Sequence, residues 1–167
     1  MTGMNYFYNL ISSQLMKKIL LLICPIIFVL SCNKYEDGPS FSLHTKTHRL
    51  ANSWIFGQVF ETPSNGTRTD RTDDYKTAYY EFNLIIDKGN TYSLSYSLFN
   101  LTAYTESGTW VYNGDKTHVY FNKTSNSSGS GFDSDWTILK LKEKELWAEE
   151  TQSNGTVVEM HLIPRFH

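Results

Sequence analysis

The chain has 167 residues, with 15 Lys and Arg against 17 Asp and Glu for a formal net charge of −2, and 40% of it is hydrophobic. That length suits one domain, the apolar content excludes a disordered body, and the mild acidity excludes a basic nucleic-acid surface. Aromatics at 15%, including 11 Tyr and 10 Phe, fit half-buried pleated strands better than helix faces, so an all-β domain is expected.

Near the N-terminus, Met16-Lys17-Lys18 precedes an unbroken apolar run over residues 19–30, followed by Ser31-Cys32. Charge, then an apolar stretch, then a small residue is the order of a secretory signal. The run, with Pro25 inside it, is shorter than the ~20 residues a spanning helix needs. Val29-Leu30-Ser31-Cys32 resembles the lipobox of bacterial lipoproteins, whose cysteine is acylated and becomes the first residue of the processed chain. The expected organisation is a signal peptide over residues 1–31, a lipidated tether over 32–40 and a folded domain over 41–167. Residues 1–15 read as an overlong start ahead of Met16. Palmitate-type acyl chains on Cys32 would hold the protein to a membrane without a basic patch. Cys24 lies in the removed segment and Cys32 carries the lipid, which leaves no thiol for a disulfide, a metal site or a nucleophile. Loss of Lys17 and Lys18, with no acidic residue, takes the net charge from −2 to −4.

The tether is polar and holds Gly38-Pro39. Over residues 41–52, Leu43, Lys46 and Leu50 fall near one side of a short helix. From Ser53 onward, period-two alternation takes over, giving a first strand at 53–60. Tyr80, Phe82, Leu84 and Ile86 share one face before Asp87-Lys88-Gly89-Asn90, and Tyr92, Leu94, Tyr96 and Leu98 share one face after it, which reads as a hairpin with one dry side. A second hairpin joins 108–112 to 117–121 around Asn113-Gly114, a dipeptide suited to a type I′ turn. A third joins 136–141 to 146–150 at Glu143-Lys144, and a fourth turns at Asn154-Gly155 into 157–163.

Eight antiparallel strands, most with one apolar face, are best completed by closure, which removes both unpaired edges. The expected fold is an eight-stranded up-and-down barrel, with a two-sheet sandwich as the alternative. Connection parity puts tight turns at one end (residues 87–90, 113–116 and 143–144) and polar loops at the other (61–74, 100–105 and 123–135), where only 153–155 is short. Loops on a rigid scaffold are where binding residues gather.

This layout resembles the lipocalin-like lipoproteins of Gram-negative bacteria. The residues that carry the resemblance are Cys32, Tyr35-Glu36-Asp37-Gly38-Pro39, Leu43, Arg49-Leu50 ahead of Trp54, Gly108-Thr109-Trp110 and residues 141–147. It implies a small barrel with an internal cavity and an outer-membrane, cell-envelope location, on the periplasmic face or the cell surface. No catalytic residue follows from it.

Inward-pointing apolar faces would line the barrel with Tyr80, Phe82, Tyr92, Leu94, Tyr96, Trp110 and Met160, enough to hold one small hydrophobic or amphipathic ligand. A core filled by those same side chains is the competing expectation. In that case the long loops would contact another envelope protein or a host molecule. His44 and His48 have the four-residue spacing of helical metal ligands but no third ligand, and read as exposed side chains. Asp70, Asp73 and Asp74 lack calcium-loop spacing and read as a solvated loop. No serine sits in a Gly-x-Ser-x-Gly elbow, so no enzyme activity and no cofactor are expected. Asn65-Gly66-Thr67 and Asn154-Gly155-Thr156 match glycosylation sequons and read as turns.

Overall fold

The computed structural model describes residues 44–126 and 134–165. The expected signal segment, Cys32, the expected tether and Leu43 lie outside the described residues. In chain order the elements are α1 (Lys46–Leu50), β1 (Ser53–Thr62), β2 (Thr69–Asp70), α2 (Thr72–Ala78), β3 (Tyr79–Ile86), β4 (Thr91–Leu98), β5 (Thr102–Tyr112), β6 (His118–Asn126), β7 (Ser134–Lys142), β8 (Glu145–Thr151) and β9 (Val157–Pro164).

Each strand from β3 to β9 pairs antiparallel with the next, and β1 closes the circle against β9 from Trp54–Pro164 to Thr62–Val157. The result is a closed eight-stranded antiparallel barrel, with β2 a short spur on β1. Pairing of the first and last strands excludes the sandwich. Alternation drives the closure: Tyr104, Glu106, Gly108 and Trp110 of β5 point in, while Thr105, Ser107, Thr109 and Val111 point out. One continuous core follows, built around Trp54, Trp110, Leu141, Leu146 and Leu162. Each such side chain contributes about 1.5–3 kcal/mol through burial.

The short helix stoppers the tight-turn end. Thr45 caps α1 by accepting from the His48 amide. Arg49, buried, donates from Nη1 to the Leu141 carbonyl at 3.0 Å, and Asn52 donates to the Glu143 carbonyl at 3.4 Å. The Trp54 indole N–H reaches the Leu50 carbonyl at 2.8 Å, and that of Trp110 reaches the Asp87 carbonyl at 2.9 Å, so both indoles seal this end.

Several local expectations change. Three hairpins share one turn: an i+3 amide donates to the i carbonyl at Asp87/Asn90, Asn113/Lys116 and Gln152/Gly155, and the last residue is left-handed. Gly114 is not the left-handed residue. Lys116 takes φ +57 instead, because Asn113 Oδ1 accepts from the amides of Thr117 and His118 and so fixes a four-residue loop. The loop expected over 100–105 shrinks to three residues, since β5 pairs with β4 as far as Thr102–Leu98. The polar stretch 61–74 is structured: β1 runs on to Thr62, β2 pairs with it, and α2 follows. The Asp70 carboxylate starts that helix by accepting from the Thr72 amide at 2.9 Å and hydroxyl at 2.6 Å. Part of the expected loop 123–135 lies outside the described residues.

Candidate functional site

The chain closes least well between β1 and β3. Their ladder holds only two pairs, Ser53–Ile85 and Trp54–Leu84. Beyond it, β3 carries a bulge between Tyr80 and Asn83, with Glu81 at φ +56. A β-bulge adds a residue to one strand and reverses which side chains face inward.

That reversal corrects one expectation. Tyr80 is 43% exposed and does not line the interior. Tyr79 takes the inward direction, meeting Phe56, Tyr75 and Tyr96 ring to ring. A bulge depends on the partner strand, so period-two parity counted from Leu84 could not reveal it.

The other expected lining residues divide by depth. Tyr92, Leu94, Trp110 and Met160 are buried in the continuous core. At the level of Phe82, Leu84, Tyr92 and Leu94, the enclosed space is about 10 Å³, at the limit of one water molecule. Between these side chains, Phe121 and Trp136 there is no room for a ligand. Phe82 and Tyr96 are half-buried and lie nearer the looped end.

At that end six rings form a continuous belt. Phe82 stacks on Phe56 at 3.9 Å, Phe56 meets Tyr75 at 6.0 Å, and Tyr75 meets Tyr79 at 5.5 Å. The belt continues from Tyr79 to Tyr96 at 5.1 Å and from Tyr96 to Tyr104 at 4.7 Å. α2 places Tyr75 there because Arg71 donates its amide to the Val59 carbonyl at 2.8 Å and Val59 donates to the Thr72 hydroxyl at 3.0 Å.

Carboxylates anchor the phenols. Tyr75 donates to Glu61 at 2.8 Å, and Tyr92 and Tyr104 donate to the two oxygens of Glu106 at 2.5 and 2.6 Å. Glu106 is only 3% exposed, and two phenolic donors offset part of the cost of burying its polar head. Burial, reinforced by the hydrogen bond to Glu61, pushes the Tyr75 hydroxyl far above the ordinary tyrosine range. Burial likewise raises Tyr79 and Tyr96. All three stay protonated donors across physiological pH.

Beside the belt, where β1 and β3 part, lies an open cavity of about 340 Å³. Ile55, Phe56, Tyr79 and Phe82 supply apolar walls, Tyr80 lines it from its exposed side, and Lys76, Glu81 and Arg165 border it. That volume falls within the range of about 300–1,000 Å³ typical of small-molecule sites. Sequence reasoning missed Phe56, Tyr75, Tyr79, Tyr104 and Glu106. Tyr104 and Glu106 were accessible to it, since the alternation through Trp110 extends back to both.

The remaining candidates are engaged elsewhere. His44 and His48 stack at 4.1 Å, and His44 Nδ1 contacts Glu143. Asp70 caps Thr72, and Asp74 pairs with Arg71 at 3.2 Å. Among the described residues, no group of three or more His, Cys, Asp or Glu side chains is arranged to hold a metal. On the outer wall, Trp147 stacks on His161 at 3.9 Å, Lys140 sits over Trp147 at 3.7 Å, and Arg68 binds Glu159 with two donors. Those cations already have aromatic or acidic partners.

No family model matches the chain, and no curated protein matches it. Among solved structures, a lipocalin-like protein from Bacteroides uniformis is similar at 14% identity, with 70% of this chain and 98% of that chain covered and a TM-score of 0.47.

Proposed function

We propose that this protein is a non-enzymatic binding module that takes a small hydrophobic or amphipathic ligand at the looped end of its barrel. The observation that carries the proposal is the belt of six half-buried or buried rings above a filled core, next to an apolar cavity of about 340 Å³. Rigid aromatic walls with a few fixed polar groups are the usual construction of a small-molecule site. The ligand sits above Tyr92 and Leu94, not between them, because the space at their level is about 10 Å³, and Trp110 and Met160 are buried in the core.

The module belongs at the outer membrane of the cell envelope, held by acyl chains on Cys32. Eleven residues lie between Cys32 and His44, a reach of about 40 Å when extended. α1 is fastened to the tight-turn end by Arg49 and Asn52.

A protein partner is the second role that a specific feature favours. The β4–β5 tip exposes Leu98, Phe99 and Leu101, the last at 86%, and Phe99 donates its amide to the Ala78 carbonyl beside α2. An apolar tip of this kind suits contact with another envelope protein or a host molecule.

Native mass spectrometry of the purified protein, with Trp fluorescence against a hydrophobic panel, tests the first role. A bound species or a saturable response is expected. A silent panel, combined with an envelope partner lost on Leu101→Ser, would transfer the assignment to the second role.

A further inference from the structure

We infer that the slot between β1 and β3, rather than the barrel interior, is the ligand's seat, and that it selects an amphipath with a short apolar chain and an anionic head. The inference rests on the binding reading above and adds the position and charge of the ligand.

Three observations place the seat. The β1–β3 ladder stops after Trp54–Leu84, while every other neighbouring pair in the barrel keeps at least four registered positions. The bulge with Glu81 at φ +56 keeps β3 turned so that Phe82 stacks on Phe56 across the gap, while Tyr80, 43% exposed, stands on the cavity's outer wall. A left-handed non-glycine residue at a cavity wall is a strained conformation of the kind that gathers at ligand sites. The cavity of about 340 Å³ opens there, whereas the space bounded by Phe82, Leu84, Tyr92 and Leu94 is about 10 Å³.

Charge then decides the head group. Lys76, in the last turn of α2, and Arg165, just after β9, border the slot, against the single carboxylate of Glu81. Lys76 is exposed, and its charge also acts on Asp70 at the start of α2. The barrel side of the belt holds Glu61 and Glu106, which bind the phenols of Tyr75, Tyr92 and Tyr104. An anionic head is repelled by that inner side and attracted to the slot's rim, so the apolar chain lies on Ile55, Phe56 and Phe82 with the head at Lys76 or Arg165. A carboxylate and a phosphate monoester share this chemistry.

The test is titration of the intact protein with octanoate, octyl phosphate, octanol and octyltrimethylammonium, read by Trp fluorescence and saturation-transfer NMR. Lys76→Gln, Arg165→Gln and the double variant are measured under identical conditions, so that partition into accompanying lipid cancels. Both variants sit on the surface and leave the core intact. Octanoate or octyl phosphate should bind roughly threefold or more tighter than octanol, as one charge-assisted contact allows. The double variant should abolish that preference without changing octanol. A carboxylate preferred over a phosphate, or the reverse, identifies the head. Equal binding of all four compounds, preference for the ammonium, or an anion preference untouched in the double variant overturns the inference while the binding reading stands. Absence of binding by any of the four overturns both.

Discussion

Phe56 and Phe82 face each other across the barrel wall at register positions where the backbones of β1 and β3 no longer pair. Extending the Ser53–Ile85 and Trp54–Leu84 register places the two residues opposite one another, yet the ladder has ended and the rings stack at 3.9 Å in its place. Side-chain packing thus holds this part of the wall. It tolerates an opening that a hydrogen-bonded ladder would forbid.

Phe56→Ala should therefore destabilise the protein by about 3 kcal/mol, with the half-exposed Phe82→Ala losing about 2 kcal/mol, below the usual range for a fully buried Phe. Urea unfolding followed by Trp fluorescence measures both. Equal stability of Phe56→Ala and the parent would mean that the stack holds nothing.

Glu81→Gly should act in the opposite direction. A left-handed conformation costs an L residue about 1–2 kcal/mol, and glycine adopts it without that penalty at some cost in unfolded-state entropy. The exposed Glu81 at φ +56 should gain roughly 0.5–1 kcal/mol on substitution, seen as a higher urea midpoint.

Gly108→Ala should fail for a steric reason. An added Cβ would lie 2.2 Å from the Asn122 carbonyl oxygen and 2.9 Å from Lys123 Cα, both backbone atoms that cannot swing aside, and 2.7 Å from Tyr92 Cε1. A loss of about 3 kcal/mol is expected, visible as a lowered Tm. This contact explains why Gly108 precedes Thr109-Trp110, where the sequence offered only a motif.

Glu150 gives a pH signature. Burial raises its carboxyl above the ordinary glutamate range against the opposing bond from Ser134 Oγ. The folded state keeps this proton to higher pH than the unfolded chain, so stability falls as pH rises from the unfolded value near 4.5 through the raised folded value. Glu150→Gln mimics the protonated form. It should be more stable than the parent at about pH 7, and the difference should vanish below about pH 4.

Met160→Ala and Leu94→Ala should separate core from site. Each removes buried apolar volume and should lose about 2–5 kcal/mol. Octanoate affinity of the folded fraction should stay at the parental level, because the seat lies at the slot. A matched loss of affinity would return the ligand to the interior.

Strand number, strand polarity and the division into a tight end and a looped end were legible in the linear chain. Alternation is a local, two-residue rule, and turn residues such as Asp87, Asn113 and Asn154 act within four or five positions of themselves. Closure of β1 on β9 followed from the need to pair both edges. The exposure of Tyr80, the inward swing of Tyr79 and the belt through Tyr75 depended instead on where β3 stops pairing with β1, a relation between residues about 30 positions apart. Whether Tyr92, Trp110 and Met160 enclose a cavity or fill it was likewise a matter of total side-chain volume against barrel radius. Period-two patterning assigns each side chain a face, but only the packed assembly determines how much room the facing side chains leave between them.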